Sequence, residues 1–113
     1  MSAIVTVYAT FADDEEARRI GRTCVEERLA ACANVLGPVH SIYRWQGRIE
    51  EAGEAAALFK TTAEGASKLL ARIAELHSYD VPAAVVWPIA DALGTYRTWV
   101  DECVAGAGES GVS

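Results

Sequence analysis

An α+β fold is what this sequence predicts: a four-stranded antiparallel sheet, two helices on one of its faces, and a third helix near the C-terminal end. Three observations carry the prediction. A β-branched run almost free of charge, AIVTVYA, spans Ala3 to Ala9. Three later stretches repeat apolar residues every three to four positions, as amphipathic helices do. Between the first two of these lies a long period-two stretch folded about Trp45, Gln46, Gly47 and Arg48, the pattern of a β-hairpin.

Each element follows in order. The run from Ala3 to Ala9 suits a strand buried on both faces in the middle of the sheet. Asp13 opens the first helix, with Glu16 three residues on as in a capping box. Asp14, Glu15 and Glu16 sit at its positive end, where the macrodipole favours acids. Ala17, Ile20, Cys24, Val25 and Leu29 form its expected buried stripe. From Cys32 the period becomes two: Val39, Ser41, Tyr43 and Trp45 share one face, and His40, Ile42 and Arg44 the other. Pro38 has no N–H for a ladder, so a bulge or bend is expected near Gly37 and Pro38. The return strand is expected from Arg48 to Thr61, interrupted at Ala52 and Gly53. Its Ala55, Ala56 and Ala57 leave room for close packing.

A second helix is expected to open at Thr62 or Ala63 and to bury Ala66, Leu69, Leu70, Ile73 and Leu76. Pro82 marks a loop over residues 79–84. A short fourth strand, Ala83 to Trp87, precedes Pro88. The third helix then carries Tyr96, Trp99, Val100 and Cys103 as its stripe. The order β-α-β-β-α-β is the split β-α-β, or ferredoxin-like, arrangement. Residues 1–104 are expected to form this single domain, and the Gly- and Ser-rich residues 105–113 a frayed C-terminal tail. Two helices cover only one face of such a sheet. Tyr43, Trp45 and the alanine-rich strand are not a solvated pattern, so the other face is expected to meet another chain.

Composition narrows the partners. The chain has 113 residues, a formal net charge of −6 and a pI near 4.8. That balance argues against nucleic acid and against an anionic membrane surface, both of which select clustered Lys and Arg. No apolar run approaches the ~20 residues of a membrane span, and no signal peptide is visible. Cys24, Cys32 and Cys103 are odd in number and show no CxxC spacing, which suits reduced thiols in the cytoplasm.

Five segments together carry a family resemblance: ERLAACANV (Glu27–Val35), SIYRWQGRIEE (Ser41–Glu51), FKT (Phe59–Thr61), LHSYDVP (Leu76–Pro82) and TYRTW (Thr95–Trp99). In this order they resemble the CutA divalent-cation tolerance family over roughly Ala3 to Val104. The resemblance implies a homotrimer whose long hairpins reach onto neighbouring subunits, with Tyr43 and Trp45 at the trimer interface. It also implies copper or another divalent cation as a ligand. Copper-associated members carry a cysteine at the end of the first strand and two adjacent histidines in the later loop. The matching positions here are Ala9, Leu76 and His77, so one donor of the three is kept. The family's glutamate after the loop proline is matched by Ala83.

The residues themselves leave two readings for each candidate. Cys32 is a soft thiolate donor for Cu(I) or a small buried apolar residue. His77 is a metal ligand through a neutral imidazole nitrogen or a helix C-terminal histidine meeting free carbonyls. Lys60, matched to the family's Lys-Thr, meets an anionic ligand at a subunit cleft or pairs with a carboxylate, and the ion pair is favoured. Tyr79 and Asp80 complete that expected ligand cleft. Cys24 and Cys103 read as core, and His40 as a strand residue without a metal-ligating neighbour.

No enzyme signature is present: there is no G-x-S-x-G elbow, Gly-rich phosphate loop, HExxH or paired-cysteine zinc motif. The leading expectation is a trimeric protein of the metal-ion response with weak copper binding and no certain cofactor. A PII-like module sensing a small anionic molecule in clefts between subunits, and a purely structural trimer, are the alternatives.

Overall fold

The computed structural model describes residues 3–105. Seven elements follow one another: β1 (Ile4–Phe11), α1 (Asp14–Glu26), β2 (Cys32–Trp45), β3 (Arg48–Thr62), α2 (Ala66–Leu76), β4 (Ala84–Pro88) and α3 (Gly94–Val104). The strands form one sheet in the order β2-β3-β1-β4, and every neighbouring pair is antiparallel. This is the expected α+β, split β-α-β arrangement, with β1 in the interior of the sheet. Of the tail assigned to residues 105–113, all but Ala105 lies outside the described residues.

The first helix starts where the acids predicted. The Asp13 carboxylate accepts the Glu16 N–H at 2.8 Å, satisfying one of the free donors of the first turn. Ala17, Ile20 and Cys24 are fully buried against the sheet. Val25 departs from the expected stripe and is 37% exposed. At about 100° per residue Val25 stands well round the helix from Ile20 and Cys24, at the edge of the buried stripe. Gly21 permits the close approach of α1 to β2: a Cβ there would lie 3.1 Å from the Ala33 Cβ.

One face of the sheet and the two helices α1 and α2 share the main core. Val7, Ala9, Phe11, Ala55, Ala57 and Phe59 of the sheet meet Ala17, Ile20, Cys24, Leu69 and Ile73 of the helices. Arg72 ties the two helices together through a bidentate pair with Glu27, at 2.9 and 2.8 Å. A smaller cluster of Ile4, Ala31, Val100 and Val104 seats α3 at the other end of the molecule. By strand alternation Ile4 lies on the face opposite Val5 and Val7, so α3 covers part of the sheet's second face. The α3 stripe expected to include Trp99 runs instead through Val100 and Val104, and Trp99 is 42% exposed.

Strand β1 runs on to Phe11 and β4 takes in Pro88, paired with Val5, and two larger departures have a visible cause. The return strand β3 is continuous through Ala52 and Gly53, because both pair with β2 at Ser41 and His40. The irregularity falls on β2 alone, between Val35 and Gly37, where Leu36 is the extra residue and Gly37 adopts φ 100°. Helix α2 starts at Ala66, later than Thr62 or Ala63. Thr62 is still paired to Ile4, and the Ala63 N–H donates to the Ala3 carbonyl at 2.9 Å. The hairpin turn has Gln46 at φ 50° and Gly47 at φ 80°, the two left-handed residues of a tight β-turn. The 14-residue β2, at ~3.3 Å per residue about 46 Å long, matches the molecule's longest dimension of 46 Å. Among the described residues no helix is long and apolar enough to cross a membrane.

Candidate functional site

The loop leaving α2 is held at both ends by side chains the core would otherwise reject. His77 caps α2, donating its backbone N–H to the Ile73 carbonyl at 3.0 Å. Its ring stacks on Phe11 with centroids 5.0 Å apart. The Tyr79 N–H donates to His77 Nδ1 at 3.1 Å, so Nε2 carries the ring proton and donates to the Thr10 carbonyl at 2.8 Å. Both ring nitrogens are thus engaged.

Glu16 lies beside it, only 6% exposed. One carboxylate oxygen accepts the Ala12 N–H and the other the Ser78 N–H, each at 2.9 Å. Burial pushes this carboxyl up, but the hydrogen bonds from Ala12 and Ser78 outweigh it and hold the group below its ordinary value. Glu16 thus joins the start of α1 to the loop after α2, 62 residues away in the chain.

The loop then delivers Tyr79 to the open face of the sheet. Its hydroxyl donates to Glu54 Oε2 at 2.9 Å. Burial, followed by the hydrogen bond and the negative charge of Glu54, pushes this phenol up to about 12. A cavity of about 790 Å³ opens between this loop, β4 and the hairpin. Tyr79 and Asp80 line it, as do Tyr43 and Trp45 from the hairpin. Tyr8 and Trp87 complete its aromatic wall, edge to face at 4.9 Å.

The sequence candidates are thus sorted. Tyr79 and Asp80, expected in a ligand cleft, share one cavity with Tyr43 and Trp45, expected at an interface. Lys60 is not among the lining residues. It pairs in register with Cys32 and Thr6, and its ammonium makes no ion pair among the described residues, contrary to the carboxylate partner expected for it. The partner fails because its cross-strand neighbours, Thr6 and Cys32, are neutral.

Cys32 and His77 do not form one metal site within the chain. Cys32 is level with Thr6 of β1 through Lys60, whereas His77 is fixed to Thr10, four residues further along and about 13 Å away at ~3.3 Å per residue. Cys32 Sγ lies 3.6 Å from the Tyr96 hydroxyl, whose phenol is pushed up to about 12 by burial and by that contact. Cys24 is buried, and its thiol is pushed up to about 11 by burial first and the Glu27 charge second. No cluster of three or more His, Cys, Asp or Glu suited to a metal ion occurs among the described residues. These residues do not fit a resident copper ion in one chain.

Glu54, Tyr8 and Trp87 were not legible as site residues. Period-two alternation places Glu54 on the face of Tyr43 and Trp45, but nothing local indicates that Tyr79, 25 residues on, will meet it.

The comparisons with known proteins bear on the family and the fold. A family model described as CutA1 divalent ion tolerance protein matches residues 5–103. A divalent-cation tolerance protein CutA of Thermus thermophilus is 45% identical over 96 residues, covering 85% of this chain and 93% of that one. That of Pyrococcus horikoshii is 41% identical, covering 88% and 96%. The crystal structure of CutA from Xylella fastidiosa superimposes with a TM-score of 0.88 at 36% identity, covering 91% of this chain and 99% of that one. An Archaeoglobus fulgidus structure, described as a periplasmic divalent cation tolerance protein, gives a TM-score of 0.87 at 36% identity, covering 89% and 98%. With matching sequence over nearly its whole length and a matching fold, the chain belongs to the CutA1 divalent ion tolerance family.

Proposed function

We propose that this protein works as a homotrimer in the response to divalent metal ions, assembling through the sheet face that α3 leaves uncovered. The supporting observation is the exposure of that face: Tyr43 (43%), Trp45 (46%), Val85 (50%) and Trp87 (49%) all meet water in the single chain. The sheet's outer strands, β2 and β4, also each have an unpaired edge. Contiguous apolar surface and free strand edges favour association. The number three rests on the family resemblance.

Replacing Trp45 by alanine is expected to weaken assembly by about 2 kcal/mol, the scale of an aromatic anchor at an interface. Light scattering at low micromolar concentration would show a falling mass. An unchanged mass would remove Trp45 from the interface.

In this reading the protein carries no tightly held ion within a single chain and performs no chemical step on a substrate. Cys32, half-buried, is the soft donor left for weak copper binding. The three free thiols suit a reducing compartment, which favours the cytoplasm. Calorimetric titration of the tag-free protein with Cu(I), Cu(II) and Zn(II) is expected to give affinities no tighter than micromolar. His77→Ala is expected to lower the melting temperature without changing them. Sub-micromolar binding abolished by that substitution would overturn the structural role given to His77.

The cavity favours a second reading, a PII-like module that senses a small molecule, because its volume falls in the range of small-molecule sites, roughly 300–1,000 Å³.

A further inference from the structure

We propose that Lys60 pairs with Glu50 of a second copy of this chain, so that the open sheet face is closed by an ion pair between subunits. This rests on the assembly proposed above and names a contact that holds it.

Two half-buried charges on that face lack a partner of opposite sign. Strand β3 runs without a bulge, so by alternation Glu50, Glu54 and Lys60 all lie on the side of the sheet away from α1 and α2. Lys60 is half-buried between Cys32 and Thr6, and Glu50 is half-buried opposite Tyr43. Neither makes an ion pair among the described residues. The other charges of this face are spoken for or exposed. Glu54 holds the Tyr79 hydroxyl, Asp80 is exposed on its loop, and Arg48, nearer the turn than Glu50, is exposed and can stay in water. The strand itself keeps Glu50 from Lys60 within one chain: ten residues separate them, about 33 Å at ~3.3 Å per residue.

A second copy resolves both vacancies at once. Ile42 and Ile49 are exposed on the helix side of the hairpin arm, and Tyr43 and Trp45 on the other, so apolar side chains meet water on both faces. Surface of this kind is covered by association. At the root of the same strand, Lys60 and the exposed Trp87 share one row of the sheet through Thr6. An arm laid across a neighbour's root brings its aromatic residues to Trp87 and its carboxylate to Lys60. The face is thus complementary to itself, with an acid at one end, a base at the other, and both halves in every copy. Covering either charge alone would strand it away from water, and the pair removes that cost.

The test is the mass of the intact protein over a dilution series, read by light scattering for the parent, Lys60→Glu, Glu50→Lys and the double exchange. Each single reversal sets like charges together and is expected to weaken assembly roughly a hundredfold or more. The double exchange is expected to return to within about tenfold of the parent, which damage to packing alone could not produce. Should a reversal fail to fold, Lys60→Met and Glu50→Gln replace it: their combined loss is expected to be smaller than the sum of the separate ones, and strict additivity would overturn the pair. Single reversals that leave the mass unchanged, or a double exchange no better than the singles, would overturn the pair and leave the assembly standing. A parent that stays monomeric at every concentration would overturn both.

Discussion

Phe59→Ala is expected to destabilise the protein by about 3–5 kcal/mol, the usual cost of removing a buried aromatic side chain. Phe59 is fully buried on β3, where Val7 of β1 and Ala33 of β2 flank it in register. Its ring lies 6.3 Å from that of Phe11 and shares the core with Leu69, Ile73 and Cys24. The surrounding residues come from three strands and two helices, so collapse into the vacated space would have to move several elements together. Partial relaxation leaves a cavity, which adds to the lost transfer free energy. Domains of this size are stable by about 5–15 kcal/mol. The urea midpoint should therefore fall by about 2 M for a slope near 2 kcal/mol per M. Leu93→Ala, at a residue 78% exposed, is the control and should stay within about 0.5 kcal/mol. A loss below about 1 kcal/mol for Phe59→Ala would mean that the two helices do not pack on this face as described.

The second large effect concerns Glu16. Its carboxylate receives two backbone N–H groups, from Ala12 and Ser78, in a nearly buried position. Hydrogen bonds to charged groups are worth about 1.5–3 kcal/mol each, and an abandoned buried donor is costly. Glutamine has one accepting oxygen, and its amide would confront the second donor. Glu16→Gln is therefore expected to cost about 3 kcal/mol at neutral pH. The pH dependence follows from the lowered folded-state pKa. A carboxyl held below its ordinary value stabilises the folded state above the unfolded value, about 4.3, and the gain is lost as pH falls through the folded value. The stability gap between the parent and Glu16→Gln should thus be full at pH 7 and shrink below about pH 4. Denaturation by urea at the two pH values measures it. A gap that stays constant into strong acid would show that the carboxylate charge plays no part.

This loop attachment matters for function because Glu16 and His77 together place Tyr79. The Glu16 carboxylate holds Ser78, the His77 ring accepts the Tyr79 N–H, and the Tyr79 hydroxyl then reaches Glu54. One wall of the aromatic cavity therefore depends on residues far from it in sequence. A His77 engaged in this way serves the shape of the cavity.

The elements were legible in the residues because each is announced by local chemistry. Asp13 with Glu16 marks the start of α1, Gly47 the hairpin turn, and Gly37 with Pro38 the bulge. Period two and period 3.6 separate strands from helices and name most of the core. Where the pattern misled, a neighbour decided: β3 ran unbroken through Gly53 because β2 pairs with it. The site was a different matter. Residue order contains Tyr79, Asp80, Tyr43 and Trp45 but not their convergence, and it offered Lys60 a carboxylate that the fold does not provide. Periodicity reports which face a side chain occupies within its own element. Polar partnership across 25 or 62 residues depends on how elements stack and on which loop they release, and only the tertiary structure decides that.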